Sequence, residues 1–349
     1  MRSADRLPPA PAGLSRRRML KLGLGAAALA GLGSQWGPLS AFAKEVDDFI
    51  RGPAVPDIAP TRLSEHVWMI WSKDGFPTPE NQGMMSNITF VVTREGVVML
   101  DPGGSVQIGE MALRMIRTVT AKPVVAVFNS HYHGDHWLAN HAFVDAFGAG
   151  LPIYAHPISK KEIEGVQGSL WHGLMERWTN QATAGTRIVA PNRETKHGDV
   201  FSFGDVTLRI HHYGQAHTPG DLCVEVVEDR LTHVGDVAMD RRIANMDDGS
   251  YVGTFRFYDA LEQHAPSRIW VPGHGHASAE VLQWNRELFA GIYENCVRAV
   301  EDGADMAEAR TRVLADPRVA SRAADTAGFE SNIGKYVSLA YLEAEREAF

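Results

Sequence analysis

The stretch NSHYHGDHWLAN, residues 129–140, places three histidines and one aspartate within six residues. It follows directly on KPVVAVF, residues 122–128, whose valine-rich composition predicts a buried strand. Imidazole and carboxylate groups gathered at the end of a strand are donors that zinc takes in proteins. The stretch therefore predicts a metal site with four candidate ligands, His131, His133, Asp135 and His136.

Chain geometry explains how one short stretch could supply several ligands. In an extended strand end, alternate residues point to the same side, so the side chains of His131 and His133 converge. The chain must then bend at Gly134 to bring Asp135 and His136 back to the same region. A histidine-rich surface loop is the alternative, but it would leave both the preceding strand and the downstream pattern unexplained.

That downstream pattern is a series of polar residues at the ends of β-type runs. His217 lies in GQAHTPGD, Asp236 in THVGD and His274 in VPGHG, and glycines flank each of them. Several strands that each deliver one ligand to a common rim are how a rigid scaffold builds a catalytic site. These three residues are therefore candidate ligands of the same metal site.

Composition narrows the classes of function. The 349 residues suffice for one large domain or two ordinary ones, and 44% apolar residues predict a substantial core. A formal charge of −8 argues against nucleic acid as a partner. Two cysteines, Cys223 and Cys296, are too few for a disulfide framework, and the sequence leaves open whether they pair.

Residues 1–43 are interpreted as a twin-arginine signal peptide. Arg16 and Arg17 begin the export pattern, an apolar stretch runs to about Gly33, and AFA at 41–43 suits signal-peptidase cleavage. The apolar stretch is shorter than the ~17–25 residues that cross a bilayer, so no permanent membrane anchor is expected. An uncleaved N-terminal anchor is the alternative. The mature chain is expected in the periplasm, exported folded through the twin-arginine pathway.

Residues 44–349 alternate paired β-type runs with helix-period segments and are expected to form a single domain. The predicted hairpins are NITFVVT with GVVML, DVFSF with VTLRIHHY, and DLCVEVV with RLTHVGD. Residues 160–185 predict a helical insertion, and the chain ends in helices. Two clusters of strands with interspersed helices favour a layered α/β (α+β) body, a four-layer αββα sandwich.

The motif and the strand-end residues together resemble the metallo-β-lactamase superfamily of metallo-hydrolases. The resemblance runs from NITFVVTREGVVMLDPGG, which begins at residue 87, through VPGHG, which ends at residue 275. The H-x-H-x-D-H motif matches at every position. Within the superfamily, the chain is most similar to exported zinc metallohydrolases associated with quinoprotein relay and sulfur-oxidation systems.

The resemblance implies two Zn²⁺ ions. The first would be held by His131, His133 and His217. The second would be held by Asp135, His136 and His274, and Asp236 would bridge the two. Asp101, in MLDPGG, matches a loop aspartate of the family that supports the site without being a usual ligand.

The function implied is that of a periplasmic di-zinc metallo-hydrolase. A hydroxide that bridges the metals would attack a carbonyl or phosphoryl bond in a thioester, ester, lactam or lactone. Asp135 is the catalytic candidate, because it is placed to orient the nucleophile or pass a proton. A small-molecule substrate is expected, and proteins of a periplasmic redox pathway are candidate partners.

Three alternatives stay open. The first is a mononuclear oxygenase resembling persulfide dioxygenases, with Fe²⁺ instead of zinc. The second is a β-lactamase, and the third is a non-catalytic metal-binding component of a quinoprotein relay system.

Two segments are candidates for the substrate cleft. The loop 71–87 could place Phe76 and two methionines, Met84 and Met85, over the metals, or it could be an ordinary solvent loop. The helical insertion carries Trp171, Met175 and Trp178 at helical spacing, which core packing or a cleft wall would explain. Among the remaining candidates, His156 could line the cleft, His276 is interpreted as a loop residue, and Cys223 as a buried strand residue.

Overall fold

Two β-sheets lie face to face between layers of helices. The computed structural model describes residues 51–73, 75–243 and 246–348. The segment interpreted as a signal peptide, residues 1–43, lies outside these described residues. Across the described ranges, no helix has both the length and the apolar character that crossing a membrane requires.

The first sheet has seven strands in chain order. Strands β1 to β4 pair antiparallel, whereas β4 to β7 pair parallel. The strands are β1 (Thr61–Arg62), β2 (Val67–Ile70), β3 (Ile88–Val92), β4 (Val97–Leu100), β5 (Val124–Phe128), β6 (Ile153–Ala155) and β7 (Arg193–Glu194).

The second sheet has five strands in the order β12-β11-β10-β9-β8. Only β11 and β12 pair parallel among these strands of the described chain. The strands are β8 (Val200–Ser202), β9 (Thr207–His211), β10 (Cys223–Val226), β11 (Leu231–Gly235) and β12 (Ile269–Pro272).

The helices cover the outer faces of the two sheets. They are α1 (Val106–Val119), α2 (Gly134–Trp137), α3 (Asn140–Phe147), α4 (Pro157–Glu164), α5 (Val166–Trp178), α6 (Tyr251–His264), α7 (Val281–Glu301), α8 (Met306–Ala315), α9 (Pro317–Ala323) and α10 (Phe329–Ala348). Helices α4 and α5 occupy the segment interpreted as an insertion, and α7 to α10 end the chain.

Alternation along β4 shows why the sheets stack. Val98 and Leu100 pack into the core between the sheets, together with Val224 of β10 and other residues of the second sheet. Val97 and Met99 point the other way, into the core beneath α1 and α3. A strand buried on both faces needs apolar residues at every position. A third core lies between the second sheet and helices α6 and α7. The layers are therefore α, β, β and α, and the fold class predicted from the sequence is confirmed.

The three predicted hairpins are present. Strand β3 pairs with β4 so that Phe90 lies opposite Met99. The same antiparallel pairing joins β8 with β9 and β10 with β11. Both cysteines, Cys223 and Cys296, are buried free thiols, so they do not form a disulfide.

Candidate metal centre

The strand ends bring all seven predicted ligands together. Strands β4 and β5 are parallel, as are β11 and β12, so their carboxyl ends meet at the same edges of the two sheets. The two stretches that follow β5 and β11 begin at Asn129 and Asp236, and His274 lies just beyond the end of β12. The ligand-type atoms form two sets, one of His131, His133, His217 and Asp236, the other of Asp135, His136 and His274.

The first set is closely gathered and buried. Within it, all ligand-type atoms lie within 4.8 Å of one another. Nδ1 of His133 and Nε2 of His217 are 3.0 Å apart. Nε2 of His131 lies 3.9 Å and Nε2 of His217 lies 3.5 Å from Oδ2 of Asp236. Three imidazole nitrogens and a carboxylate oxygen suit a tetrahedral metal site.

The second set converges on the carboxylate of Asp135. Oδ2 of this carboxylate lies 3.2 Å from Nε2 of His136 and 3.3 Å from Nε2 of His274. Asp236 reaches this set as well, because its Oδ1 is 3.4 Å from Nε2 of His136 and its Oδ2 is 3.3 Å from Nε2 of His274. One carboxylate thus lies between both sets, the position expected of a bridging ligand.

Unsatisfied buried atoms indicate that metal ions fit here. Nε2 of His131, Nε2 of His136, Oδ2 of Asp135 and Oδ1 of Asp236 are buried and have no hydrogen-bond partner among the described residues. Buried polar atoms without partners are rare because each costs about 1–3 kcal/mol. Here they converge on the same small region, so coordination would satisfy all of them at once.

In three of the histidines, the ring nitrogen that does not face the other candidate ligands forms a hydrogen bond within the protein. Nδ1 of His131 donates to Oγ of Ser130 at 2.9 Å, and Nδ1 of His274 donates to the carbonyl of Met85 at 2.7 Å. Nδ1 of His136 donates to Oδ2 of Asp101 at 3.0 Å. A proton fixed on Nδ1 leaves Nε2 as a lone-pair donor, which is the arrangement that orients histidines toward a metal.

Asp101 organises the residues beneath the ligands. Its carboxylate accepts hydrogen bonds from the backbone N–H of Ser130 at 2.7 Å, from Oγ of Ser130 at 2.6 Å and from Nε2 of His233 at 3.1 Å. Burial raises the pKa of this carboxyl, but the charges and hydrogen bonds of His136 and His233 outweigh burial and hold it well below its usual value. Its backbone φ of 55° lies in the left-handed region, which non-glycine residues rarely adopt. The hydrogen bonds hold the residue in this costly conformation.

Burial keeps several ligands in the protonation state that metals require. It lowers the pKa of His131 and His133 well below the usual value and that of His217 to about 4. For His136, burial acts in the same direction, but the charges of Asp135 and other carboxylates prevail and raise its pKa. A metal ion would therefore compete with a proton at His136.

A glycine lets the backbone approach the centre. A Cβ at Gly273 would collide with Oδ1 of Asp236 and would lie 2.7 Å from Cε1 of His136. Any side chain here would displace two candidate ligands.

A cavity of about 710 Å³ opens over the two sets. Residues of helix α5 and Phe76 line this cavity, and α10 contributes Asn332 and Lys335 to its wall. Of the loop methionines, Met85 lines the cavity, but both Met84 and Met85 are buried. Trp171 and Trp178 of α5 also line it, whereas Met175 is fully buried. Each of the two segments predicted as candidates for the substrate cleft therefore contributes some residues to the cavity and others to the core.

Some candidates do not belong to the centre. His156 does not line the cavity and stacks on His212 with ring centroids 4.1 Å apart. His276 stacks on Trp71 instead. The thiol of Cys223 is directed to the carbonyl of Val234, 3.7 Å away.

Other residues of the centre were missed from the sequence. Asp221, the last residue of GQAHTPGD, accepts hydrogen bonds from the backbone N–H groups of His217 and Thr218, and burial raises its pKa to about 7. Its position four residues after the candidate ligand His217 could have indicated this supporting role. Arg242 lines the cavity and is almost fully buried. Its place six residues after Asp236 was a weak signal, because an arginine pair usually lies on the surface.

Fold and site together define a protein with a buried histidine and aspartate centre at the edges of two stacked sheets, an arrangement suggestive of a metallo-hydrolase. The model of the metallo-beta-lactamase superfamily matches residues 81–301. The chain belongs to the metallo-β-lactamase superfamily, whose members are mostly hydrolases or related enzymes. No curated protein sequence gave a significant match.

Solved structures show the same fold. The metallo-beta-lactamase from Pontibacter korlensis is 20% identical, with a TM-score of 0.51 over 66% of this chain and 97% of that chain. The DIM-1 metallo-beta-lactamase exposed to ceftazidime is 14% identical, with a TM-score of 0.51 over 68% of this chain and 98% of that chain. At these identities the likeness concerns the fold and not the substrate.

Proposed function

We propose that this protein is a periplasmic di-zinc hydrolase that cleaves a carbonyl or phosphoryl bond in a small molecule. The observation that carries the proposal is the position of Asp236, which lies within 4 Å of imidazole nitrogens from both ligand sets. One bridging carboxylate between a set of three histidines and a set of two histidines with Asp135 suits two metal ions better than one.

Zinc ions held by these residues would supply a hydroxide at neutral pH and polarise the bond under attack. The chain itself orients the ligands through Asp101, Ser130 and the Met85 carbonyl. Asp135 lines the cavity, and its backbone is fixed because Oγ of Ser86 donates to its backbone carbonyl at 2.6 Å. Asp135 is therefore placed to receive or deliver a proton at the cavity floor.

The deep position of the ligands also supports hydrolysis over simple metal transport. All seven are buried, with exposed fractions of 8% or less, yet five of them line a cavity large enough for a small molecule. A carrier has no need of such a cavity.

Metal analysis with a substrate panel tests the proposal. Protein recovered from the periplasm should hold two zinc ions per chain and should hydrolyse at least one thioester, ester, lactone, lactam or phosphodiester. His131→Ala should lose metal and abolish turnover, whereas the matched loop variant His276→Ala should retain both. A single iron with oxygen uptake, or undiminished hydrolysis in His131→Ala, would contradict the proposal.

The proposed export to the periplasm can be tested separately from the hydrolase activity. The export motif at Arg16 and Arg17 supports a twin-arginine route. The double variant with lysine at both positions should keep the protein in the cytoplasm, as measured by fractionation. Unchanged periplasmic accumulation would contradict this route.

A further inference from the structure

One side of the cavity is apolar, and α5 provides most of it. Val166, Leu170, Leu174 and Trp178 recur every four residues on this helix, and such spacing places them in one stripe. Leu170, Leu174 and Trp178 line the cavity. Leu170 is 48% exposed and Trp178 is 39% exposed. A contiguous exposed apolar stripe beside a binding cavity indicates a surface for an apolar ligand group.

The stripe lies beside the first ligand set. Trp171, on the adjoining face of α5, packs its ring 4.6 Å from the ring of His133. A Cβ added at Gly134 would lie 2.7 Å from Cβ of Trp171. The apolar group of a ligand bound on α5 would therefore extend away from the centre on the side of His131, His133 and His217.

A buried cation lies beside the second ligand set. The guanidinium of Arg242 contacts Nδ1 of His274 and lies 5.0 Å over the ring of Phe76. Arg242 is only 4% exposed, and its Nε has no hydrogen-bond partner among the described residues. Nδ1 of His274 already donates to the Met85 carbonyl, so it offers Arg242 no acceptor.

None of the carboxylates described around Arg242 forms an ion pair with it. Asp236 and Asp135 favour its charged form through their charge, without a hydrogen bond to it. The other two acids that line the cavity have partners of their own, since Asp247 pairs with Lys335 at 2.7 Å and Asp248 accepts a hydrogen bond from the Tyr132 hydroxyl at 2.8 Å. A buried guanidinium that forms no ion pair within the described part of the chain is suited to bind an anion.

We propose that the cavity binds an amphipathic anion, with its apolar chain along α5 and its anionic group at Arg242. This inference rests on the proposed function, because the scissile bond would lie between these two regions, over the ligand sets. A cavity of about 710 Å³ is within the usual range for small-molecule sites. The substrate class is therefore an acyl compound with a medium-length alkyl chain, whose leaving group carries a carboxylate or a similar anion.

Thioesters of mercaptoacetic acid provide matched probes. Acetyl, butanoyl, hexanoyl and octanoyl thioesters vary the chain, and replacing the free carboxylate by its primary amide removes the charge. In hydrolysis, water supplies the oxygen of the new carboxylic acid, the C–S bond breaks, and the thiol leaves with the proton. Thiol release measures kcat and KM on the zinc-loaded enzyme.

Each binding region has its own variant. In the parent protein, kcat/KM should rise about fourfold per methylene that reaches α5, and the acids should be preferred over the amides. Leu170→Asn should flatten the dependence on chain length while keeping the preference for acids. Arg242→Gln should raise KM for the acids about ten- to a hundredfold and leave the amides nearly unchanged. Leu342→Asn changes an equally exposed leucine on α10 that does not line the cavity, so it should behave as the parent.

A non-hydrolysable probe separates this inference from the proposed function. Binding of S-octyl mercaptoacetate, a thioether, is measured by calorimetry on the same four proteins. If it binds the parent but binds Leu170→Asn and Arg242→Gln at least tenfold more weakly, the inference holds even when no thioester is cleaved. If the parent fails to bind it, or if both variants bind it as the parent does, the inference is overturned even when thioesters are cleaved.

Discussion

Asp101 connects three parts of the chain at the base of the metal centre. It follows β4, and its carboxylate accepts hydrogen bonds from Ser130 after β5, from His136 on α2 and from His233 on β11. A single charged acceptor thus fixes the orientation of a candidate ligand of the second set and the backbone that precedes the first set.

Asp101→Asn tests that role. The neutral amide cannot accept all of these bonds, so His136 loses its fixed ring orientation. We expect metal affinity at the second set to fall about ten- to a hundredfold, with a smaller effect at the first set. Titration of zinc against a chelator of known affinity measures both steps.

The matched control is Asp229→Asn. Asp229 also accepts a hydrogen bond from a histidine, His66, but it lies on the β10–β11 turn and lines no part of the cavity. Equal losses in the two variants, or equal losses at both metal sites in Asp101→Asn, would contradict the assigned role.

At the residue scale, the sequence indicates ligands better than their supports. His131, His133, Asp135 and His136 are predicted as candidate ligands because a short motif concentrates unusual donor types. The partner of His233 could not be predicted, because its contact with Asp101 joins positions 132 residues apart. Arg242 was missed for the same reason, since its lack of an ion pair with the described residues becomes evident only when its neighbours are known.

At the scale of elements, α4 begins at an unusual N-cap. The Nδ1 atom of His156 accepts a hydrogen bond from the backbone N–H of Ile158 at 3.4 Å, and Pro157 is the first helical residue. Burial, together with the neighbouring His212, lowers the pKa of His156 to about 4. A proton on Nδ1 would remove the acceptor.

This cap predicts a pH dependence of stability. Between about pH 6.5 and about pH 4 the unfolded chain binds a proton at His156 that the folded protein does not, so stability falls as the pH falls through this window. His156→Asn keeps a capping acceptor and removes the titration. Urea unfolding at about pH 7 and about pH 5 should therefore show a smaller decline in the variant than in the parent.

His264→Asn serves as the control, because His264 is exposed at the end of α6. It should show the same decline as the parent. If His156→Asn also declines as steeply as the parent, His156 does not contribute to the pH dependence.

The sequence predicts whether a segment forms a strand or a helix where the contacts of that segment are local. The hairpin of β3 and β4 needs only a turn between two apolar runs, and the sequence displays both. The function of α5 was ambiguous, because Trp171 and Trp178 share a helical pattern but differ in burial. Periodicity predicts that a helix has an apolar face, but it does not indicate whether that face meets the core or a cavity.

At the scale of the whole molecule, the seven candidate ligands link the two sheets. Four of them follow β5 of the first sheet, since His131 and His133 precede α2 and Asp135 and His136 lie on it. The other three belong to the second sheet, where His217 lies between β9 and β10 and Asp236 and His274 follow β11 and β12. Metal bound between them would therefore stabilise the packing of one sheet against the other.

Metal removal should lower the thermal stability of the whole protein. Ligands that bind only the folded state stabilise it by mass action, about 4 kcal/mol when the free metal exceeds its Kd a thousandfold. We expect the midpoint of thermal unfolding to fall by several degrees after chelation and to recover when zinc is restored. Calorimetry measures the change.

The specificity of this effect can be checked with Asp236→Ala, which should respond much less to chelator or zinc than the parent. His276→Ala should respond as the parent does. A midpoint that chelation leaves unchanged in the parent would contradict a structural contribution of the metals.

Helix α10 has a consequence for how the protein is made. Its buried Glu343 accepts hydrogen bonds from Oγ of Ser250 at 2.6 Å and from the backbone N–H of Tyr251 at 2.7 Å, so it caps the start of α6. The same helix supplies Asn332 and Lys335 to the cavity. The last candidate ligand is His274, and α10 begins only at Phe329. During translation, every candidate metal donor is therefore made before the helix that completes this wall of the cavity.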